Sequence, residues 1–122
     1  MSSTTLDNGV GIAEVMPLDP RETEFMDGVR AFVASEVLPN TRKWEENKSF
    51  PDDIWTKLAD CGLLAMTLPQ ELGGRGYSCR AYVEACRELA KGDPALSMNI
   101  AAINALCVAH FIRFANDEQR EK

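Results

Sequence analysis

Two groups of residues have types that suit phosphate or acid–base chemistry. The glycine-rich segment Gly73–Gly76 is followed by no Lys-Ser or Lys-Thr pair and has no G-x-G-x-x-G spacing, so it predicts a tight turn with positive φ angles rather than a phosphate loop. Glu84 and Glu88 stand one helical turn apart, as a general-acid pair would. Arg80 and Arg87 share their stretch of sequence, which instead indicates a solvated face of ion pairs.

A metal site is the third chemical possibility, because the chain has four cysteines and one histidine, namely Cys61, Cys79, Cys86, Cys107 and His110. No C-x-x-C pair occurs, and the spacing matches no known zinc shell, so no metal is predicted. Without an export signal, reduced and mostly buried thiols are expected.

Composition narrows the class of protein. The 122 residues are 45% hydrophobic and carry a net charge of -6, which disfavours binding to nucleic acid or to an anionic membrane. Residues 1–21 are polar and acidic and predict a flexible leader, which lacks the features of a signal or transit peptide. We therefore expect a cytoplasmic protein with one domain over residues 22–122.

Helical periodicity then places these residues on structural elements. An amphipathic pattern from Arg21 to about Lys48 predicts a first helix that either kinks or splits at Pro39, and its continuing phase favours a kink. A second helix is expected from Pro51, and Gly62 is suited to end it. Its predicted buried face comprises Ile54, Trp55, Leu58 and Cys61.

The run Leu63–Leu68 is too short for a helix and ends at a proline, so it predicts an irregular apolar connector that enters the core. Ser78 is suited to cap a third helix. The predicted inner face of that helix comprises Cys79, Tyr82, Val83, Cys86, Leu89 and Ala90. Asp93 and Pro94 predict the start of a fourth helix that ends near Ala115.

The fourth helix differs from the others because residues 94–112 contain no Asp, Glu, Lys or Arg. Such a helix is buried in protein or lipid. Polar residues interrupt it and no basic flank orients it, so no membrane span is predicted. The single apolar stripes of the other helices cannot surround it, so part of its partner is expected to be missing from this chain. A last helix is expected to begin with Asp117 as its cap.

The order of motifs "EVLPNTRKWEE", "FPDDIWTKLADCGLLAMTLPQELGGRGYS", "AYVEACRELAKGDPALSM" and "FIRFANDEQREK" resembles the N-terminal helical domain of the flavin-dependent acyl-CoA dehydrogenases. The resemblance implies an all-α, up-down bundle of about four to five helices over residues 22–122. It also implies that the β-domain and the C-terminal helical domain of the family are absent from this chain.

The activity that this resemblance implies is α,β-dehydrogenation of an acyl-CoA thioester with FAD as the oxidant. In the family a glutamate takes the α-proton while hydride passes to the flavin, and that base is expected in the absent C-terminal region. We therefore assign no catalytic and no cofactor-binding residue here, and expect this chain alone to be inactive and to bind no FAD. A homo-oligomer, either a tetramer or a dimer, and an electron-transfer partner are implied for the full-length enzyme.

The same resemblance implies which residues of the fourth helix line the acyl pocket: Met98, Asn99, Ala102, Ile103 and Leu106. Their spacing places them on one helical face, which equally suits packing against a neighbouring helix.

Two alternatives remain open for the chain as a whole. One is a self-contained helical module that binds a protein partner, and the other is a related flavoenzyme whose substrate is carried on an acyl carrier protein or is not a thioester.

Overall fold

The computed structural model describes residues 16–122, and most of the predicted leader lies outside the described residues. Within this range the regular elements are helices and there is no strand, which confirms the all-α prediction. The elements are α1 Pro20–Phe32, a first π segment Val33–Val37, α2 Thr41–Asn47, α3 Ile54–Asp60, a 3-10 turn Gln70–Leu72, α4 Cys79–Gly92, α5 Pro94–Ala102, a second π segment Ile103–Val108, α6 Ala109–Phe114 and α7 Asp117–Glu121.

The bundle is organised around α4, which packs against α1 and also against α5. The elements α5, the second π segment and α6 are continuous, and together they are called the long helix, Pro94–Phe114. The core draws apolar side chains from α1 to α5 and from the connector. Its largest fully buried apolar members are Met26, Val29, Val37, Ile54, Leu58, Leu63, Met66, Leu89, Leu96 and Ile100.

The start of α1 is fixed by two carboxylates. Asp19 Oδ1 accepts the Glu22 amide at 2.7 Å and Glu22 Oε2 accepts the Asp19 amide at 3.1 Å, a reciprocal capping box. Glu22 Oε1 also accepts the Ser78 amide at 2.6 Å, which joins the starts of α1 and α4. Burial acts to raise the pKa of Glu22, but the hydrogen bonds from Ser78 and Asp19 outweigh it and hold that pKa below its usual value.

The predicted kink at Pro39 is wrong, because the chain splits there into separate helices. The Leu38 amide donates to the Val33 carbonyl at 2.9 Å, five residues earlier, and the Asn40 amide donates to the Val37 carbonyl at 3.1 Å. Pro39 has no amide hydrogen to donate, and its ring crowds the preceding turn. The main-chain hydrogen bonds before Pro39 therefore span five residues instead of four, and a turn follows.

The second predicted helix is shorter than expected. Residues 51–53 form a turn, and α3 begins at Ile54 rather than Pro51. Gly62 ends α3, as predicted. It follows the last helical turn and has a φ of 78°, which is in the left-handed region. Ile54 is buried as expected, whereas Trp55 is exposed and does not belong to the core.

The connector and the glycine-rich segment have the predicted roles. Leu63 and Met66 are fully buried. Gly73 and Gly76 have φ values of 86° and 62°, the positive angles expected of a turn. Gly74 is needed for a different reason, since a Cβ there would lie 2.1 Å from the carbonyl oxygen of Leu68.

The buried face of α4 agrees with the prediction in part. Ser78 caps the helix by accepting the Ala81 amide at 3.2 Å, as expected. Leu89 is fully buried as predicted, and Tyr82 and Cys86 pack partly buried against the core. Val83 is instead half exposed, and the fully buried Ala81 and Ala85 were not predicted. Small alanine side chains allow helices to approach closely, and a prediction that favoured larger apolar residues missed them.

Candidate functional site

The five predicted pocket residues lie on one open face of the long helix, which is called the open face. Met98 is 74% exposed and Leu106 is 61% exposed. Asn99 is also exposed, and Ala102 and Ile103 are partly exposed. The structure thus brings these side chains to one surface, and no element among residues 16–122 buries that surface.

The opposite face of the long helix packs on the rest of the bundle. Leu96 and Ile100 are fully buried, and Ser97 Oγ donates to the Cys86 carbonyl of α4 at 2.7 Å. The Asp93 side chain caps the helix by accepting the Leu96 amide at 2.9 Å, as predicted. One face is therefore anchored in the core while the other is accessible.

The open face carries no charge, and four of its five defining residues are apolar, with Asn99 as the polar member. By length and composition the long helix qualifies as a membrane-spanning candidate, with 22% of its most apolar window buried. A core helix of a soluble protein satisfies the same test when it is mostly buried, whereas this helix is covered on one side only. The polar residues Ser97 and Asn104 lie on the side that the bundle covers.

One polar side chain crosses from the long helix to the connector. Asn104 is 1% exposed. Its Oδ1 accepts the Met66 amide at 2.9 Å, and its Nδ2 donates to the carbonyls of Leu63 at 2.9 Å and Ile100 at 3.0 Å. Helical periodicity does not indicate this role. The available signal was an amide within an uncharged helix, because a buried amide requires partners, but Asn99 gives the same signal and is exposed.

The acidic residues of α4 form ion pairs. Glu84 contacts Arg80 at 3.0 Å and Arg87 at 3.5 Å, and Glu88 contacts Lys91 at 2.7 Å. The geometry agrees with the predicted surface of ion pairs.

The cysteines are free thiols, and two of them are more accessible than predicted. Cys79 and Cys107 are exposed, so the expectation of mostly buried thiols is wrong for this pair. Burial raises the pKa of both Cys61 and Cys86. Among residues 16–122, no group of three or more His, Cys, Asp or Glu side chains is arranged to hold a metal ion.

The glycine-rich segment uses its amides internally. The amides of Gly73, Gly74 and Gly76 donate to the carbonyls of Gln70, Pro69 and Leu68 at 3.0, 3.1 and 2.8 Å. A phosphate-binding loop needs amides that point outward to the anion. These three are already paired, so the segment is a structural turn.

At the end of the chain, the predicted cap is displaced by one residue. Asn116 caps α7 by accepting the Gln119 amide at 2.9 Å, and the side-chain oxygen of Gln119 accepts the Asn116 amide at 3.0 Å. Asp117 is instead the first helical residue, where its charge suits the positive end of the helix dipole.

Several known proteins resemble this chain over most of its length. It is 26% identical over 106 residues to isovaleryl-CoA dehydrogenase, mitochondrial, of Solanum tuberosum, covering 85% of this chain and 26% of that protein. It is 30% identical over 93 residues to 3-(aryl)acrylate reductase of Clostridium sporogenes, covering 76% of this chain and 25% of that one. The chain therefore spans about a quarter of the length of these relatives.

A solved structure also resembles this chain in three dimensions. Glutaryl-CoA dehydrogenase of Mycobacterium smegmatis superposes with a TM-score of 0.77 at 31% identity, covering 94% of this chain and 29% of that protein. A structure of a glutaryl-CoA dehydrogenase from the same organism contains FADH2. The family profile described as "Acyl-CoA dehydrogenase, N-terminal domain" matches residues 19–122. The chain belongs to the acyl-CoA dehydrogenase family, and its helical bundle is the N-terminal domain of that family.

Proposed function

We propose that this chain is the N-terminal part of an FAD-dependent acyl-CoA dehydrogenase and that its open face forms one wall of the acyl pocket. The observation that carries the proposal is an uncharged face, with Met98 and Leu106 largely exposed, on a helix whose other face is anchored in the core. Soluble proteins rarely leave so apolar a surface uncovered unless it binds something.

The open face suits an acyl chain by its chemistry. Met98, Ile103 and Leu106 supply aliphatic and thioether contacts, and each acyl methylene removed from water contributes about 0.8 kcal/mol. The role of this wall is to bind and orient the chain and to exclude water. Ala102 is small and leaves room for a longer or branched acyl group.

The flavin and the catalytic base belong to other parts of the proposed full-length enzyme. Within residues 16–122 the glycine-rich amides are already paired, and the carboxylates of α4 form ion pairs. We therefore assign no flavin-binding residue among residues 16–122. FAD supplies the oxidising power when it is bound in the full-length enzyme, and we expect the 122-residue chain alone to be inactive.

The assembly and the electron acceptor are also proposals. We propose homo-oligomerisation, an electron-transfer partner that reoxidises the flavin, and a CoA thioester substrate by analogy with the family. The open face would be covered within such an assembly by the domains that complete the acyl pocket. A cytoplasmic location remains the expectation from the sequence.

The test is anaerobic titration of the full-length enzyme with acyl-CoA thioesters of increasing chain length, followed by flavin absorbance. We expect the flavin band to bleach with a thioester and to remain unchanged with the matching free acid. The 122-residue chain serves as the control and is expected to show no flavin band. Absence of bleaching with every thioester would contradict the proposal.

A second candidate is a flavoenzyme with a non-thioester substrate. It is favoured by one observation, the 30% identity to a protein named 3-(aryl)acrylate reductase. In that case an arylacrylate should reoxidise the reduced flavin of the full-length enzyme, and acyl-CoA should not bleach the oxidised form. A helical module without enzymatic function predicts that the full-length protein contains no flavin.

A further inference from the structure

The second π segment holds the C-terminal part of the open face. The Ala109 amide donates to the Asn104 carbonyl, five residues earlier, whereas an α-helix would pair residues four apart. Ile103 and Leu106 both lie inside this segment. A π segment is uncommon and needs contacts that compensate for its wider turn, so the groups that hold it also determine where these two side chains point.

The first such group is the side chain of Asn104, which bonds in three directions. Its contacts with Leu63 and Met66 tie the segment to the connector, and its contact with Ile100 ties it to the preceding helical turn. The connector is held in turn, because the Met66 carbonyl accepts the Tyr77 amide at 2.8 Å. An alanine at position 104 would remove the bonds that Asn104 makes to the buried Met66 amide and Leu63 carbonyl, whereas the Ile100 carbonyl would keep the Ile103 amide as a partner.

The second group is Tyr82 of α4, whose hydroxyl donates to the Ala101 carbonyl at 3.2 Å. The carbonyls of Ile100 and Ala101 therefore both accept side-chain hydrogen bonds just before the π segment begins. Because side chains already donate to these two carbonyls, the carbonyls depend less on the main-chain hydrogen bonds of a regular α-helix.

We propose that Asn104, assisted by Tyr82, is a positioning residue that sets acyl-chain selectivity without contacting the acyl group. It holds the second π segment in register, so that Ile103 and Leu106 face the acyl chain. This inference depends on the proposed function. If the segment reverted to α-helical pairing, the side chains that follow would turn about the helix axis by about 100°, the rotation of one residue.

The experiment compares Asn104→Ala and Tyr82→Phe with the wild-type full-length enzyme, by kcat/KM over a series of acyl-CoA chain lengths. We expect the ratio of long-chain to short-chain values to shift by about fourfold for each methylene that loses its contact. The shift should be smaller for Tyr82→Phe, which removes one hydrogen bond and keeps the ring. Flavin content should stay unchanged in both variants.

Ser97→Ala is the matched control. This substitution removes a hydrogen bond between the long helix and α4, but position 97 lies well before the π segment in the chain. We expect it to lower stability without changing the chain-length ratio. An unchanged ratio in Tyr82→Phe and in any folded Asn104→Ala protein, or an equal change in Ser97→Ala, would overturn the inference.

Failure of the proposed function gives a different result. If the wild-type enzyme turns over no acyl-CoA, then the proposed function is wrong and the positioning role falls with it. If the wild-type enzyme is active and its variants keep its selectivity, only the positioning role is wrong. If Asn104→Ala does not fold, Tyr82→Phe alone decides the question.

Discussion

Glu22 and Asn104 are two buried polar side chains that join segments far apart in the sequence. Glu22 links α1 to the start of α4 through the Ser78 amide, and Asn104 links the long helix to the connector. Neither role follows from helical periodicity, because periodicity identifies a face but not the main-chain group that the face meets. Buried polar groups with main-chain partners are costly to remove, so each of these residues gives a sharp mutational test.

Stability should depend on pH through Glu22. Its pKa lies below the ordinary value of 4.5, so its stabilising effect is fully present above that pH and is lost as the pH falls through the lowered pKa. We expect Glu22→Gln to lower the free energy of unfolding by about 1–3 kcal/mol at neutral pH and by less in acid. Urea unfolding across a pH series measures this, with exposed Glu24→Gln as control. A difference that is constant with pH would contradict the assignment.

The cysteines should fall into two reactivity classes. Cys79 and Cys107 are exposed, whereas burial raises the pKa of Cys61 and Cys86 and lowers their thiolate fraction. Brief treatment with iodoacetamide followed by peptide mass spectrometry should find the first pair alkylated and the second largely unmodified. All four should react in denaturant. Protection of Cys107 in the folded chain would mean that the long helix is covered where the structure leaves it accessible.

At the scale of elements, two glycines provide a matched pair. Gly74→Ala would place a Cβ 2.1 Å from the Leu68 carbonyl oxygen, and we expect it to destabilise the fold by about 1–3 kcal/mol. Gly28 lies inside α1 with open space around it, so Gly28→Ala should stabilise the helix by about 0.5–1 kcal/mol. Chemical unfolding of both variants measures the difference. Equal stability of the two would contradict the close approach at Gly74.

Local signals predicted several element ends correctly. Ser78 and Asp93 cap their helices, and Gly62 ends α3, because each depends on a side chain or a φ angle that is readable from one residue. The face of α4 was predicted only in part: Leu89 is buried as expected, but close packing also buries Ala81 and Ala85 and leaves Val83 half exposed. Helix pairing, rather than residue hydrophobicity, decided that face.

The two π segments could not be predicted from periodicity. Patterns with periods of 3.6 and 4.4 residues are indistinguishable over five or six positions. The first segment is followed by Pro39, and side chains of Asn104 and Tyr82 bond main-chain groups in and beside the second. The five pocket residues were placed by family resemblance. The structure puts them on one face, while their contact with substrate remains a prediction.

At the scale of the whole molecule, the open face should make the 122-residue chain bind an apolar fluorescent dye. Met98, Leu106 and Phe114 are each more than half exposed on the long helix. We expect dye fluorescence to fall in a Met98→Glu, Leu106→Glu double variant and to be unchanged in Glu24→Gln. A wild-type chain that is monomeric and silent to the dye would contradict an accessible apolar face.

The most direct measurement of the acyl-pocket role is substrate affinity in the full-length enzyme, obtained by titrating the flavin absorbance with acyl-CoA. Leu106→Asp would place a carboxylate against the acyl chain, whereas Val83→Asp changes an equally apolar, half-exposed residue of α4 outside the open face. We expect the apparent Kd to rise by at least about tenfold in Leu106→Asp and to match the wild-type value in Val83→Asp. A folded Leu106→Asp enzyme with wild-type affinity would show that the open face does not line the acyl pocket.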